Sequence, residues 1–227
     1  MSNGVYLTVN ASGAAKAAQE KNVVVIVDVI DMSTTLEAAI DAGASHVYGA
    51  SPDSTQAPVK LNPEEIGRQA AEMAREEGIS VILVCEPRIG SEAERRAKAS
   101  RVIGAVVQAG VSIEAVLPNA GAEVVKLADF TGKVVIVVSD TGGVAYDAAV
   151  TAGAPAVLTG TVARTMRKRG FEPARAAARR AIEAAARIGT GIAVVAASAN
   201  SLEDILAAEY IVKVIIEEGF TSKPAIR

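Results

Sequence analysis

The sequence predicts an α/β protein, a three-layer α/β/α arrangement with a mostly parallel sheet. Short β-branched runs alternate with alanine-rich stretches of helical spacing along almost the whole chain. Several of the runs are apolar at consecutive positions, which is typical of strands that are covered on both faces. Strands and helices that alternate in this order indicate parallel strands connected by helical crossovers.

Seven strands are predicted, each a β-branched or apolar run bounded by polar residues or glycine. They cover residues 5–9, 23–29, 46–48, 79–85, 134–139, 156–159 and 192–197. We find no internal repeat and no low-complexity linker. We therefore expect residues 1–227 to form a single domain.

The helix that follows the third strand has clear start and stop signals. Asn62 is the expected N-cap, Pro63 stands in the first turn, and Gly78 follows the last turn. The apolar stretch AAEYIVKVIIEEGF near the C-terminus fits either a core helix or the seam of a homodimer, and its pattern does not choose between them.

Two other helices have the signature of a capping box, in which a hydroxyl residue precedes an acid by three positions. The pairs are Thr34 with Glu37 and Ser91 with Glu94. The stretch TGTVARTMRKRG is also predicted to be helical.

Composition excludes several classes of function. The net charge is −3, aromatic residues make up 3% of the chain and tryptophan is absent, which argues against nucleic-acid partners. No apolar run approaches the roughly 20 residues that span a bilayer, and no signal peptide is evident, so we expect no membrane association. The single cysteine, Cys85, is expected to be a small buried hydrophobe, and one cysteine is compatible with the cytoplasm.

Histidine-based nucleophilic catalysis is also disfavoured. His46 is the only histidine, and it lies at the start of a predicted strand, away from the strand ends where ligands bind.

The polar residues that follow the strands are the candidate site, because ligands of parallel sheets bind where strands end and helices begin. Asp28 and Asp31 follow the second strand run. They can hold a divalent metal such as Mg²⁺, or they can hydrogen-bond within the turn. Phosphatases of the haloacid-dehalogenase type need their second acid where this chain has Ile30, so that class is disfavoured.

Two more corners offer groups for an anion. The run SDTGG, residues 139–143, follows a strong strand, and its glycines would let backbone N–H groups approach an oxyanion. An ordinary strand-to-helix turn is the other interpretation. Arg164 is expected in the first turns of the TGTVARTMRKRG helix, where a guanidinium can clamp a phosphate.

Taken together, four motifs resemble the Mg²⁺-dependent 2-phosphosulfolactate phosphatases. They are DVIDMST after the second strand, CEPRIG after the fourth, the SDTGG turn, and ASANSLEDI before the last helix. The resemblance covers most of the chain. It implies an α/β/α protein that uses Mg²⁺ to hydrolyse a phosphate ester of a small acidic metabolite, in the synthesis of coenzyme M.

The resemblance and the position of the corners together suggest a role for each candidate residue. The expected catalytic residues are Asp28, Asp31, Glu86 and Arg88, and the expected metal ligands are Asp28, Glu86 and Asp204. The residues expected to bind the phosphorylated substrate are Ser33, Thr34, Ser139, Thr141, Gly142, Gly143 and Arg164.

The chain departs from the family pattern at Asp31, which stands where the family has an arginine. Asp31 is then either an additional ligand or a group that disfavours a second anionic group on the substrate. The alternative function is a non-catalytic protein that binds a small anion and has kept the pocket of the phosphatase scaffold.

Overall fold

The structure is a computed structural model that describes residues 4–220. Within that range eight strands form two sheets of four, and every strand pairing is parallel. The first sheet has the order β1-β8-β2-β7 and the second has the order β3-β6-β4-β5. The strands are β1 (Val5–Val9), β2 (Val23–Val27), β3 (His46–Ala50), β4 (Val81–Cys85), β5 (Ile113–Pro118), β6 (Val134–Val138), β7 (Ala156–Gly160) and β8 (Ile192–Ala196).

The α/β class and the parallel pairing are confirmed, whereas the prediction of one sheet is wrong because the strands divide between two. All seven predicted strands are present. Strand β5 was not predicted, because Glu114 and Pro118 interrupt its apolar run and only one of its positions is buried.

Residues 4–220 contain eight α-helices, of which all but the last connect strands, together with a 3₁₀ helix at Gly121–Lys126. The α-helices are α1 (Asn10–Gln19), α2 (Met32–Asp41), α3 (Pro63–Glu77), α4 (Glu92–Lys98), α5 (Ser100–Gln108), α6 (Gly142–Thr151), α7 (Glu172–Ile188) and α8 (Leu202–Glu217).

Both sheets are covered by helices on two faces, so each sheet has the predicted α/β/α layering. In β2, Val23, Val25 and Val27 face α7 and α8, while Val24 and Ile26 face the helices between the sheets. Helices α1, α2 and α6 lie in that shared layer, and α3 and α5 cover the second sheet on its outer side. This alternation follows from the two-residue period of a strand.

The two halves of the chain repeat the same order of elements, contrary to our expectation of no repeat. Helix α2 leaves β2 in the first sheet and leads to β3 in the second, while α6 leaves β6 in the second and leads to β7 in the first. The repeat is visible in the sequence as AAIDAGASHVYGA, residues 38–50, against AAVTAGAPAVLTG, residues 148–160. It was missed because the remaining parts of the halves differ in length and composition.

The helix signals are mostly confirmed. Asn62 is the N-cap residue of α3, Pro63 opens that helix, and Gly78 ends it with a positive φ of 68°. Such a backbone conformation favours glycine. Ser91 and Glu94 form the predicted capping box of α4.

One face of helix α8 packs into the core, which was one of the two alternatives that its apolar pattern allowed. Ile211 and Ile215 are fully buried against the first sheet, whereas Leu202, Leu206 and Tyr210 are exposed. The homodimer stays a prediction. None of the helices within residues 4–220 has the length and apolar character needed to cross a membrane.

Candidate functional site

The carboxylate of Asp28 connects the ends of the two sheets. It follows β2 and is buried, and its Oδ2 accepts hydrogen bonds of 2.7 Å from both the Thr141 hydroxyl and the Gly142 amide. Its Oδ1 accepts from the Asp31 amide at 3.1 Å. An anion at the first turn of α6 is stabilised by the free N–H groups and the helix dipole. Asp28 therefore caps a helix that belongs to the other half of the chain.

The glycines of the SDTGG turn allow close packing. A Cβ on Gly142 would lie 2.8 Å from Cβ of Asp28 and 2.8 Å from Cβ of Met32, so α2 and α6 begin side by side. The Gly143 amide donates to Ser139 Oγ at 3.0 Å. Because both glycine amides already have protein acceptors, we leave Ser139, Gly142 and Gly143 out of the ligand cradle that the sequence suggested.

The hydroxyls of the DVIDMST motif also form hydrogen bonds within the fold. Ser33 Oγ accepts from the Asp28 amide at 3.0 Å and donates to the Ile26 carbonyl at 2.9 Å. Thr34 donates to the Val29 carbonyl at 2.5 Å and lies 2.8 Å from the Thr161 hydroxyl. These bonds fix the turn between β2 and α2, as Thr141 does by its bond to Asp28.

The predicted capping box of Thr34 and Glu37 is wrong. Helix α2 begins at Met32, two residues before Thr34, so Thr34 lies inside the helix and does not cap it. Glu37 is fully buried and forms an ion pair with Arg180 of α7.

The groups left accessible form what we call the open corner: Asp31, Glu86, Arg88, Lys98 and Asp140. Arg88 Nη2 lies 3.4 Å from Asp31 Oδ1, and Lys98 Nζ lies 3.4 Å from Asp140 Oδ2. The Arg88 side chain is 52% exposed and that of Lys98 is 40% exposed. Long, solvated ion pairs of this kind contribute little to stability and exchange readily.

Mutual repulsion and burial perturb the carboxyls of the open corner. The pKa of Glu86 is raised to about 7, chiefly by burial and then by the negative charges of Asp31 and Asp140. Asp140 also accepts a hydrogen bond from the protonated Glu86, which favours the neutral acid. Burial and the neighbouring Asp28 raise the pKa of Asp31, although Arg88 opposes them. Glu86 can therefore hold and release a proton near neutral pH.

Arg88 is positioned by the unpredicted strand β5. Its Nε donates to the carbonyl of Asn119, the residue after β5, at 2.6 Å. Asn119 is itself fully buried, and its Oδ1 accepts from the Thr35 hydroxyl at 2.6 Å. Nearby, Arg95 Nη1 donates to the carbonyls of Pro87 at 3.2 Å and Gly90 at 3.0 Å, which holds the loop that carries Arg88.

The three expected metal ligands do not converge. Asp28 uses both oxygens for protein donors, and Asp204 Oδ1 accepts from the Val29 amide at 2.8 Å. Burial is the main reason that the pKa of Asp204 is raised to about 6. Across residues 4–220 no three histidine, cysteine or acidic side chains are arranged to hold a metal ion. Asp28, Glu86 and Asp204 thus supply the oxygen chemistry that Mg²⁺ prefers, but not a shared position.

Arg164 does not join the open corner. The stretch 161–171 forms turns instead of the predicted helix, and α7 begins only at Glu172. Arg164 Nη2 contacts Glu123 of the 3₁₀ helix at 3.2 Å. Arg164 therefore pairs with a residue outside the open corner, and we do not assign it as the phosphate clamp there.

Sequence reasoning did not select Lys98, Asp140 or Asn119. Asp140 stands inside the SDTGG motif, and its position after a strand was the available signal. Lys98 meets it across 42 positions of sequence, and nothing local marks that contact. The internal repeat could have indicated Asn119, because it directly follows β5, the first strand of the second half, as Asn10 directly follows β1, the first strand of the first half.

No protein-family model matches the chain, and no curated protein shows significant similarity to it. The likeness to 2-phosphosulfolactate phosphatases therefore stays a prediction from the motifs.

Proposed function

We propose that this chain hydrolyses a phosphate ester of a small acidic metabolite at the open corner. One observation supports this most: burial and the charges of Asp31 and Asp140 raise the pKa of Glu86 to about 7, so Glu86 can donate a proton near neutral pH. Each of those two carboxylates is paired with a solvent-exposed cation. A general acid beside two phosphate-binding cations is the minimum equipment for cleaving such an ester.

Arg88 and Lys98 would bind the phosphoryl group. Each is 3.4 Å from its carboxylate, which leaves room for a stronger, shorter bond to a phosphate oxygen. A guanidinium can bind two phosphate oxygens at once, and an ammonium acts as a point charge. Binding would release Asp31 and Asp140 from their ion pairs.

The released Asp31 would then serve as general base. It takes a proton from the attacking water, while protonated Glu86 gives its proton to the ester oxygen as the P–O bond breaks. One proton is accepted and one is donated, and the products are inorganic phosphate and an alcohol. Asp28 would act indirectly, by fixing the turn that carries Asp31.

The metal and the natural substrate are separate predictions. Because the expected trio of ligands does not converge, we assign no step to Mg²⁺, and its requirement is tested below with a chelator. 2-Phosphosulfolactate, a role in coenzyme M synthesis and a cytoplasmic location are likewise inferences from the motifs and composition. Of these inferences, only 2-phosphosulfolactate affects the test below, because it is one of the esters in the panel.

The test is release of inorganic phosphate by the purified protein over a panel of small phosphate esters that includes 2-phosphosulfolactate. Each ester is assayed with Mg²⁺ and with a chelator, using the unmodified protein, Glu86→Gln and the control Glu183→Gln on the exposed face of α7. Release that is lost in Glu86→Gln alone supports the proposal. Tight binding of an ester without release by any protein would favour the non-catalytic anion-binding alternative.

A further inference from the structure

The segment that leads into α7 is strongly basic, although the chain as a whole carries a net charge of −3. Residues 164–180 contain seven arginines and lysines and a single acidic residue, Glu172. Such a concentration of one charge on an acidic protein produces a local positive potential that attracts anions.

Two of these cations fix the segment against the protein core. Lys168 forms an ion pair with the buried carboxylate of Asp41, which also accepts from the Thr165 hydroxyl. Arg180 does the same with the buried Glu37. The backbone is therefore held before any ligand arrives, which lowers the entropy that binding would cost.

A cavity of about 310 Å³ opens beside this fixed segment. Its lining combines four cationic side chains with one acidic residue and two apolar residues: Arg167, Lys168, Phe171, Glu172, Arg175, Ala176 and Arg179. The volume is at the lower end of the range for pockets that bind small ligands. The cavity shares no residue with the open corner.

The cations of the cavity differ in their availability. Arg179 lies 3.6 Å from Glu218, and Lys168 is engaged by Asp41. In the described part of the chain, Arg167 and Arg175 have no carboxylate within ion-pair distance. The Arg175 guanidinium lies over the Phe171 ring, 4.5 Å from its centre, and Phe171 as a residue is 54% exposed.

This arrangement provides two kinds of recognition side by side. Arginines without carboxylate partners bind phosphate oxygens. The Phe171 ring and the guanidinium that lies over it are both planar groups on which a flat aromatic group can stack. We propose that the cavity is a binding site for a nucleoside monophosphate, with its phosphate on Arg167 and Arg175 and its base against Phe171.

The experiment is isothermal titration calorimetry of the full chain with adenosine 5′-monophosphate, inorganic phosphate and adenosine at 0.15 M salt. All proteins carry Glu86→Gln, so that the ester is not turned over and changes at the open corner do not enter the comparison. The variants are Arg175→Gln and Phe171→Leu. Arg187→Gln, near the exposed C-terminal end of the same helix, removes the same charge outside the cavity.

We expect one molecule of adenosine 5′-monophosphate to bind, more tightly than either inorganic phosphate or adenosine. Arg175→Gln should weaken it by at least about tenfold, as the loss of a charged hydrogen bond predicts. Phe171→Leu should weaken binding of the nucleotide but leave binding of inorganic phosphate unchanged. Arg187→Gln should change the affinity for neither ligand. The proposal is overturned if the nucleotide does not bind at millimolar concentration, or if Arg187→Gln weakens it as much as Arg175→Gln does.

Discussion

Replacing Gly142 with alanine tests whether α2 and α6 begin as close together as the structure shows. The added methyl group would lie 2.8 Å from Cβ of Asp28 and from Cβ of Met32, and closer still to Oδ2 of Asp28. Carbon atoms in contact are normally about 3.5–4.0 Å apart. Because both neighbours are buried, the two helices must separate to make room.

The size of the effect follows from three contributions, of which two destabilise the fold and one stabilises it. Overpacking a core position costs about 1–3 kcal/mol. Separation of the helices also lengthens the bond from the Gly142 amide to the Asp28 carboxylate, and a hydrogen bond to a charged group is worth about 1.5–3 kcal/mol. Against this, alanine in place of glycine in a helix gains about 0.5–1 kcal/mol. We expect Gly142→Ala to lower the free energy of unfolding by about 1–2 kcal/mol if the hydrogen bond survives. The decrease should reach about 3–4 kcal/mol if that bond is also lost.

Gly104→Ala is the matched control. Gly104 lies within α5, and a Cβ there would meet no atom within 4 Å. The same substitution should therefore raise the free energy of unfolding, by about 0.5–1 kcal/mol. Both variants are measured by urea denaturation followed by circular dichroism, with an unchanged m-value as the sign that only stability changed. If Gly142→Ala is as stable as the unmodified protein, the close approach of the two helices is wrong.

Three further predictions concern titratable groups. If Glu86 is the general acid, kcat should fall as pH rises through about 7. Asp140→Asn removes a negative charge near Glu86 and should therefore move this decrease to lower pH. Identical pH–rate profiles of the two proteins would contradict the coupling between Asp140 and Glu86. Burial raises the pKa of Glu37 from 4.5 to about 7, so the folded protein binds more protons than the unfolded chain between these values and the contribution of Glu37 to stability decreases as pH rises. Urea denaturation at pH 5 and pH 7 should therefore show less decrease in Glu37→Gln than in the unmodified protein, and an equal decrease would contradict this. Burial also raises the pKa of the Cys85 thiol to about 12, so the folded protein should not react with a thiol reagent at pH 8 whereas the urea-unfolded chain should, and rapid labelling of the folded protein would show that Cys85 is accessible.

The central strands could be predicted from sequence because each is apolar at consecutive positions. Strands β2, β4, β6 and β8 are buried at all five positions, as a two-sided parallel strand requires. The edge strand β5 has a mixed pattern and was missed, and Asn119 was missed with it. The other edge strands, β1, β3 and β7, contain no acidic residue and were predicted.

The division into two sheets was not predictable from the same signals. Strand β2 pairs with β7 and β8, more than a hundred residues away, and its local pattern would be identical in a single sheet. In the structure, Gly49 and Gly142 allow α2 and α6 to pack closely in one layer between the sheets. The internal repeat was the one sequence feature that could have indicated a duplicated sheet.

The sequence predicted where the corner residues lie, but not which atoms their side chains contact. The topology predicted that four corner residues lie where strands end, and the structure places them there: Asp28, Ser33, Thr34 and Thr141. Their side chains, however, form hydrogen bonds with each other and with the backbone. A motif gives residue types and spacing, whereas the partner of each polar atom depends on contacts across the whole fold. Lys98 illustrates the reverse case, a residue without a motif that reaches Asp140 of the candidate site.

The most direct test of the proposed function is the rate of phosphate release by Glu86→Gln compared with the unmodified protein, on the best ester of the panel. Glutamine keeps the shape of the side chain but has no proton of suitable pKa to donate. We predict that kcat falls by a factor of about 10²–10⁴, which is the usual contribution of a general acid, and that the circular dichroism spectrum is unchanged. A folded Glu86→Gln protein that releases phosphate at the original rate would show that Glu86 is not the acid and that the open corner is not the site of the chemistry.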